Sequence, residues 1–145
     1  MSDPSFRPIG PNEAVAIAAL FEAAYAPFRE TLPDLPDMTE GLAEELAETE
    51  NWAAEDARGL SAVILLRVED KALFIANLAV RPDTQGQGLA RKLLELAETR
   101  ARDLGLHRLQ LTTHADMQGT IAVYKRLGFE VTERLEGALR MGKGI

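Results

Sequence analysis

Between Ala72 and Leu104 three local patterns follow one another directly, and few folds accommodate that succession. Residues 72–80 are apolar apart from Asn77, with charge before them and Pro82 after. A short apolar run so bounded predicts a buried strand. From Leu89 the apolar positions Leu89, Leu93, Leu96, Ala97, Ala101 and Leu104 recur with helical period, and Gly105 supplies the stop. Between strand and helix lies Gln85-Gly86-Gln87-Gly88-Leu89-Ala90. Two glycines at the mouth of a helix allow backbone conformations that other residues resist, and they let a ligand approach the main chain. The first amides of a helix lack internal partners and sit at the positive end of its dipole. Such a loop is suited to an anion, above all a phosphate.

Three phosphate-loop patterns compete for it. Gly86 and Gly88 fit the first two positions of the dinucleotide fingerprint G-x-G-x-x-G, but Arg91 stands at the third. The pattern G-x-x-x-x-G-K-[ST] occurs nowhere in the chain. The pattern [Gln/Arg]-x-x-Gly-x-[Gly/Ala] is matched by Gln85, Gly88 and Ala90. The bland alternative is an ordinary strand-to-helix turn with flexible glycines.

The rest of the chain narrows the function classes. Its 145 residues, 46% of them hydrophobic, predict a single domain, residues 1–145, with an adequate core. No apolar run is long enough to span a membrane, and the N-terminus lacks a charged-then-apolar leader, so neither membrane nor secretion is expected. The absence of cysteine excludes disulfides, cysteine nucleophiles and thiolate metal sites and fits a cytoplasmic protein. Two histidines, His107 and His114, are too few for a histidine-rich metal centre, so no metal is expected. The net charge of −7 argues against nucleic acid as a partner. It is also divided: Glu30 to Ala57 holds ten acidic residues and no basic one, whereas Arg81 to Arg126 holds eight basic against five acidic. That division suggests that one half meets an anion and the other a cation, although solvated surface charge is the plainer account of most single residues.

Along the chain, Phe6 to Ile9 predicts an edge strand because Pro8 cannot donate to a ladder. Asn12 reads as a helix cap, with Ala14, Ile17, Ala18, Phe21, Ala24, Tyr25 and Phe28 on one face of the helix that follows. The prolines of residues 31–36 break that helix, and residues 37–40 read as a capping box for a second helix through Glu48, with Leu42 and Leu46 inward. Trp52 to Glu55 is a strand candidate, Asp56 to Gly59 a turn, and Leu60 to Val68 a strand in an antiparallel hairpin with residues 72–80. After Gly105 come a strand over His107 to Thr113, a helix over Met117 to Leu127, and two strands, Phe129 to Leu135 and Ala138 to Met141. A strand, a helix and a neighbouring parallel strand form a right-handed crossover, and this pair is expected to splay near Leu78 and Leu111.

The glycine loop and this order of elements resemble the GNAT superfamily of N-acetyltransferases. The second landmark of that family is kept at Ile121, Tyr124, Gly128 and Phe129, with departures at Met117, where asparagine is common, and at Thr120, where alanine is common. The resemblance runs from about Leu60 to Phe129. It implies a mixed α/β fold: a mostly antiparallel sheet of about six or seven strands with one parallel, splayed pair, flanked by about four helices. It implies acetyl-coenzyme A as cofactor and direct attack by a primary amine with both substrates bound.

The same resemblance assigns the cofactor site. The main chain at Leu78, Ala79 and Val80 is expected to pair with the pantetheine arm, as a peptide adds to a sheet edge. Gln85, Gly86, Gln87, Gly88, Leu89, Ala90 and Arg91 are assigned to the cofactor, the amides of Gly86 to Ala90 to its pyrophosphate, and Arg91 and Lys92, or Arg81 and Lys125, are the alternatives for the 3′-phosphate. Tyr124 is expected beside the sulfur, where its hydroxyl donates to the departing thiolate. Full proton transfer from an unperturbed phenol to a thiolate is uphill by roughly 2 kcal/mol, so donation is the role assigned.

The attacking amine must be neutral, and for a lysine-like amine at pH 7 that costs on the order of 4–5 kcal/mol. Many relatives carry a carboxylate near positions 76–77, but here Ala76 and Asn77 stand there. His114 is the candidate base because imidazole titrates near neutrality; Glu55, Asp56 or an ordered water are alternatives, and a weakly basic amine needs none. Tyr25, Phe28, Glu30 and the loop over residues 31–37 are the expected acceptor walls. The acidic run there favours a cationic acceptor such as a polyamine, an aminoglycoside or a protein lysine. The alternatives are a catalytically silent GNAT-fold module that binds coenzyme A or a protein, and a nucleotide-binding regulator. Relatives of this kind are often dimers, so a homodimer is an expected assembly.

Overall fold

Strand β3 (Gly59–Glu69) is the spine of the molecule, since it is buried on both faces. Ala62, Ile64 and Leu66 enter one core, and Val63 and Leu65 enter the other. That double burial is why the segment reads as an unbroken apolar run rather than an alternating one. The computed structural model describes residues 5–32 and 39–145.

The described elements are β1 (Phe6–Pro8), α1 (Ala14–Arg29), α2 (Leu42–Glu48), β2 (Glu50–Asp56), β3, β4 (Ala72–Val80), α3 (Leu89–Asp103), β5 (Arg108–His114), α4 (Gln118–Arg126), β6 (Glu130–Leu135) and β7 (Ala138–Gly144). The order matches the sequence-based expectation, and so does the architecture: seven strands in one sheet, ordered β1-β2-β3-β4-β5-β7-β6, with four α-helices. All neighbours are antiparallel except β4 and β5, which α3 joins by the crossover. A mostly antiparallel sheet is not the parallel sheet of a dinucleotide fold, so the partial match of Gly86 and Gly88 to that fingerprint is accidental.

Two cores sandwich the sheet. Leu89, Leu93, Leu94, Ala97 and Ala101 of α3 and Ile121 of α4 cover one face, with Leu109, Leu111, Leu139 and Met141 from the strands. Ile17, Leu20, Phe21 and Ala24 of α1 cover the other, together with Leu42 and Leu46 of α2. The helical repeat expected for α1 holds, with Leu20 added to its inward face. Among the described residues, no helix is long and apolar enough to cross a membrane.

Several local expectations are corrected. Asn12 does not cap α1: it lies in a single 3-10 turn, Pro11–Glu13, and α1 has no side-chain cap. The second helix starts later than a capping box would place it. Gly41 stands before Leu42 at φ +68°, and its carbonyl accepts from Glu45 N–H at 3.0 Å. The first two residues of that box, Asp37 and Met38, and residues 33–37 of the expected acceptor loop lie outside the described residues. Strand β2 is longer than Trp52–Glu55. Its alanines and glutamates favour helix in isolation, but pairing to both β1 and β3 with Ala53 and Ala54 fully buried overrides that preference. A bidentate pair from Arg100 of α3 to Glu50, at 2.5 and 2.8 Å, also fixes its start, and Trp52 Nε1 donates to the same carboxylate at 2.8 Å. Strand β7 extends to Gly144 and lies between β5 and β6, an insertion that local pattern does not show.

Candidate functional site

The site begins where β4 and β5 part. They pair at Leu73–Leu109, Phe74–Gln110 and Ile75–Leu111, and no further. β4 is therefore already free of β5 at Leu78, and its main chain from Ala76 to Val80 faces an open crevice on that side.

A bulge decides what lines the crevice. In the β3–β4 ladder Leu65 opposes Asn77 and Leu66 opposes Ile75, which leaves Ala76 as the extra residue. A bulge reverses the in–out alternation beyond it. Leu73 and Ile75 face the α3 core before the bulge, and Leu78 and Val80 face it after. Ala76 and Ala79 pack instead on the α1 side, where the Tyr25 hydroxyl donates to Asn77 Oδ1 at 2.9 Å. The one polar residue of the strand is thereby carried to the α1 wall.

At the far end of β4 the glycine loop is open. Gln85 to Gly88 is not helical; α3 starts at Leu89 with Gly88 before it and no side-chain cap. Gly86 and Gly88 have φ +86° and +79°, and nothing lies within 4 Å of where a Cβ would project. The first helical bond in this turn runs from Lys92 N–H to Gly88 O at 3.0 Å. The amides of Leu89, Ala90 and Arg91 therefore precede the first internal acceptor and point out of the helix end. Exposed glycines, a positive dipole end and free amides fit a diphosphate by chemistry and by space. The Gln85 side chain reaches back toward Val80 O at 3.5 Å.

The basic candidates separate. Arg81 is occupied: its guanidinium bridges Asp56 and Asp83 and donates to the Gly59 and Leu60 carbonyls at 3.4 and 3.1 Å. It clamps the β2–β3 turn to the start of the loop and holds both carboxyls below their usual range. Arg91 is 71% exposed and pairs with Glu95 at 3.2 Å. Of these two, Arg91 is placed to meet an anion at the loop.

Tyr124 faces the crevice from α4. Its ring packs edge-on against Phe129, centroids 5.5 Å apart, and Gly128, at φ +98°, lets the chain reverse so that Phe129 N–H reaches Tyr124 O at 3.0 Å. Burial raises the Tyr124 hydroxyl above its ordinary value, and the nearby Tyr25 adds to the effect. Tyr25 itself is pushed up to about 12 by burial, partly opposed by Arg29. Both phenols are neutral donors or acceptors at physiological pH. His114 also lines the crevice, and Asp116 N–H donates to its Nδ1 at 3.1 Å. That bond makes Nδ1 an acceptor. Met117 is buried before α4 without a side-chain cap, at the position where an asparagine would supply one.

These residues line one cavity of about 950 Å³. Of the residues expected from the sequence, Leu78, Ala79, Val80, Gln85, Gly86, Gly88, Leu89, Ala90, Arg91, His114, Tyr124, Tyr25 and Phe28 all border it. Gln87 and Glu30 do not, and Glu30 is exposed beyond the end of α1. The described part of the acidic run stays outside as well. Glu55 pairs with Arg7 at 2.8 Å, Asp56 with Arg81 and Glu50 with Arg100, while Glu40, Glu44 and Glu48 are solvent-exposed. Asn77 also lines the cavity, with no role assigned to it from the sequence; a lone polar side chain in an apolar strand was the available signal.

A strand that leaves its neighbour, a phosphate-sized nest at its end and a phenol across the gap define a protein that can hold an extended, phosphate-bearing carrier. Residues 17–129 match the Acetyltransferase (GNAT) family, and the chain belongs to it. An uncharacterized N-acetyltransferase of Methanocaldococcus jannaschii is 38% identical over 71 residues, 49% of this chain and 31% of that protein. A ribosomal protein bS18 alanine N-acetyltransferase of Salmonella typhimurium is 36% identical over 76 residues, 52% of this chain and 50% of that protein. These matches thus span half or less of the relatives' own lengths. The fold is shared with the PaiA N-acetyltransferase of Thermoplasma acidophilum solved in complex with coenzyme A: TM-score 0.81, 16% identity, 99% of this chain and 100% of that one.

Proposed function

We propose that the chain, as a single domain, transfers an acetyl group from acetyl-coenzyme A to a primary amine, by direct attack with both substrates bound. The observation that carries this reading is the parting of β4 from β5 beyond Ile75 and Leu111, with free main chain leading straight into the Gly86–Gly88 nest. The carrier supplies an activated acyl carbon and a thiol leaving group. The main chain of Leu78 to Val80 pairs with the amides of its arm, and the amides of Gly86 and of Gly88 to Arg91 hold its diphosphate. Tyr124 donates its hydroxyl proton as a hydrogen bond to the sulfur as charge develops there. Its raised proton affinity suits a donor that keeps its proton.

The acceptor enters from the α1 side, past Tyr25 and Phe28. Relatives support either a protein or a small amine: one is named for an alanine of a ribosomal protein, and another, 39% identical over 59 residues, is the Escherichia coli L-amino acid N-acyltransferase MnaT. Thioester consumption over a panel of amines tests the reading, run beside Tyr124→Phe. Turnover with at least one amine that falls in Tyr124→Phe, while coenzyme A binding by calorimetry holds, is the expected result. Met117 favours the second reading, a fold that binds coenzyme A without transfer. Binding with no turnover on any amine would select that one.

A further inference from the structure

We propose that Tyr25 and Asn77 together hold the acceptor nitrogen, and that this uncharged cradle selects an amine already largely neutral at working pH, an α-amine rather than a lysine-type ε-amine. The inference rests on the transfer reading above and deepens it.

The bulge at Ala76 is the starting point. It turns Asn77 toward α1 at the depth where β4 leaves β5, beside the main chain proposed to pair with the carrier's arm. There the Tyr25 proton is committed to Asn77 Oδ1 at 2.9 Å. Two functions remain open toward the cavity that both residues line: the lone pairs of Tyr25 Oη and the two N–H groups of Asn77. An amine can donate one N–H to Tyr25 Oη and keep its own lone pair for the acyl carbon. The Asn77 N–H groups suit a carbonyl oxygen three bonds from that nitrogen, as an α-amine carries in a peptide or an amino acid.

An ammonium has no lone pair to use, and the groups that form the cradle do not take its extra proton. The phenols of Tyr25 and Tyr124 and the Asn77 carboxamide are not bases. His114 receives a backbone N–H at Nδ1. Glu136, the one carboxylate among the described lining residues, lies in the exposed β6–β7 turn. Among the described residues, the charged side chains that the neighbouring helices bring here are Arg29 on α1, which acts on Tyr25, and Arg91 on α3, paired with Glu95, and Arg126 on α4, which line the same cavity. The transfer then balances with no external base. Nitrogen forms the new bond to the acyl carbon, the carbon–sulfur bond breaks, and the proton lost from nitrogen ends on the thiol.

Chemistry sets the size of the selection. An α-amine titrates near 7.7–8.0 and a lysine near 10.4, so at pH 7 the neutral fractions differ by roughly 300-fold. Two peptides of one sequence provide the test, one with a free N-terminus and an acetylated lysine, the other with the reverse. At pH 7 the free α-amine is expected to give at least ~100-fold higher kcat/KM. The lysine peptide should gain about tenfold per pH unit up to pH 9, whereas the α-amine peptide levels off near pH 8.

Tyr25→Phe is expected to raise KM for the α-amine about tenfold, with coenzyme A affinity and the shape of the pH profile unchanged. Asn77→Asp supplies a carboxylate at the cradle and should narrow the preference about tenfold in favour of lysine. Equal rates for the two peptides, a pH profile that breaks near 6–7 rather than at the amine's own value, or an unchanged ratio in Asn77→Asp would overturn the cradle while leaving acetyl transfer standing. Binding of coenzyme A with no transfer to either peptide, or to any amine of the wider panel, would overturn both.

Discussion

The two walls of the cavity are made of different material. On the α3 side the surface is main chain: the free edge of β4, the Gly86–Gly88 loop and the first amides of a helix. On the α1 side it is side chain: Tyr25, Phe28 and Asn77, held by one hydrogen bond and by packing on the core beneath. A wall of main chain presents the same donors and acceptors under many sequences, provided that the glycines remain. A wall of side chains changes with every substitution. The first wall suits a ligand common to a whole family, and the second suits a ligand peculiar to one member.

The contrast can be broken most directly at Gly88. A β-branched residue at φ +79° is strained although nothing blocks its Cβ, so Gly88→Val must shift the loop rather than clash. Coenzyme A affinity is expected to fall about 100-fold by calorimetry, about 2.7 kcal/mol. An unchanged affinity would mean that the main-chain wall does not hold the diphosphate.

Tyr124→Phe should cost less and act elsewhere. It removes one donor and leaves the ring on Phe129, so turnover is expected to drop about 30-fold, near 2 kcal/mol, with cofactor affinity intact.

A smaller effect should appear in stability. Arg100 holds the Glu50 carboxyl below its usual range, with burial opposing. A carboxyl lowered in the folded state stabilises above its unfolded value of about 4.3 and loses that contribution as pH falls through the folded value. Glu50→Gln should therefore lower Tm by a few degrees at pH 7, and the difference should shrink as pH falls below about 4. A difference that persisted at low pH would trace to packing against Trp52 instead.

Arg91→Ala is expected to change least. The exposed Arg91–Glu95 pair is worth a few tenths of a kcal/mol, and a solvated guanidinium at the loop adds little to what the amide of residue 91 supplies. A loss of coenzyme A affinity beyond about threefold, roughly 0.6 kcal/mol, would move part of the first wall into the side-chain class.

The same division explains what could be read before the fold was known. The strand over Ala72–Val80, the glycine loop and the helix from Leu89 were legible because each is set by neighbours a few residues apart: apolar spacing, two φ-permissive residues, an unsatisfied helix start. The acceptor side was legible only in part. Tyr25 and Phe28 could be placed on the inward face of a helix, but the acidic run could not be placed. Its described part is turned outward or paired with Arg7, Arg81 and Arg100 from distant elements. Asn12 and the capping box failed for a related reason, since a cap-forming side chain is only an option until the chain's exit direction is set.

What the amino-acid sequence determined by itself, then, is the succession of elements, the open glycine loop and the phenol on α4. Tertiary structure alone decided the bulge at Ala76, the insertion of β7 between β5 and β6, and the meeting of Tyr25 with Asn77 across 52 residues of chain. Each of these depends on which strand lies beside which and in what register. Register is a property of two distant segments packed on a common core, so no local pattern encodes it.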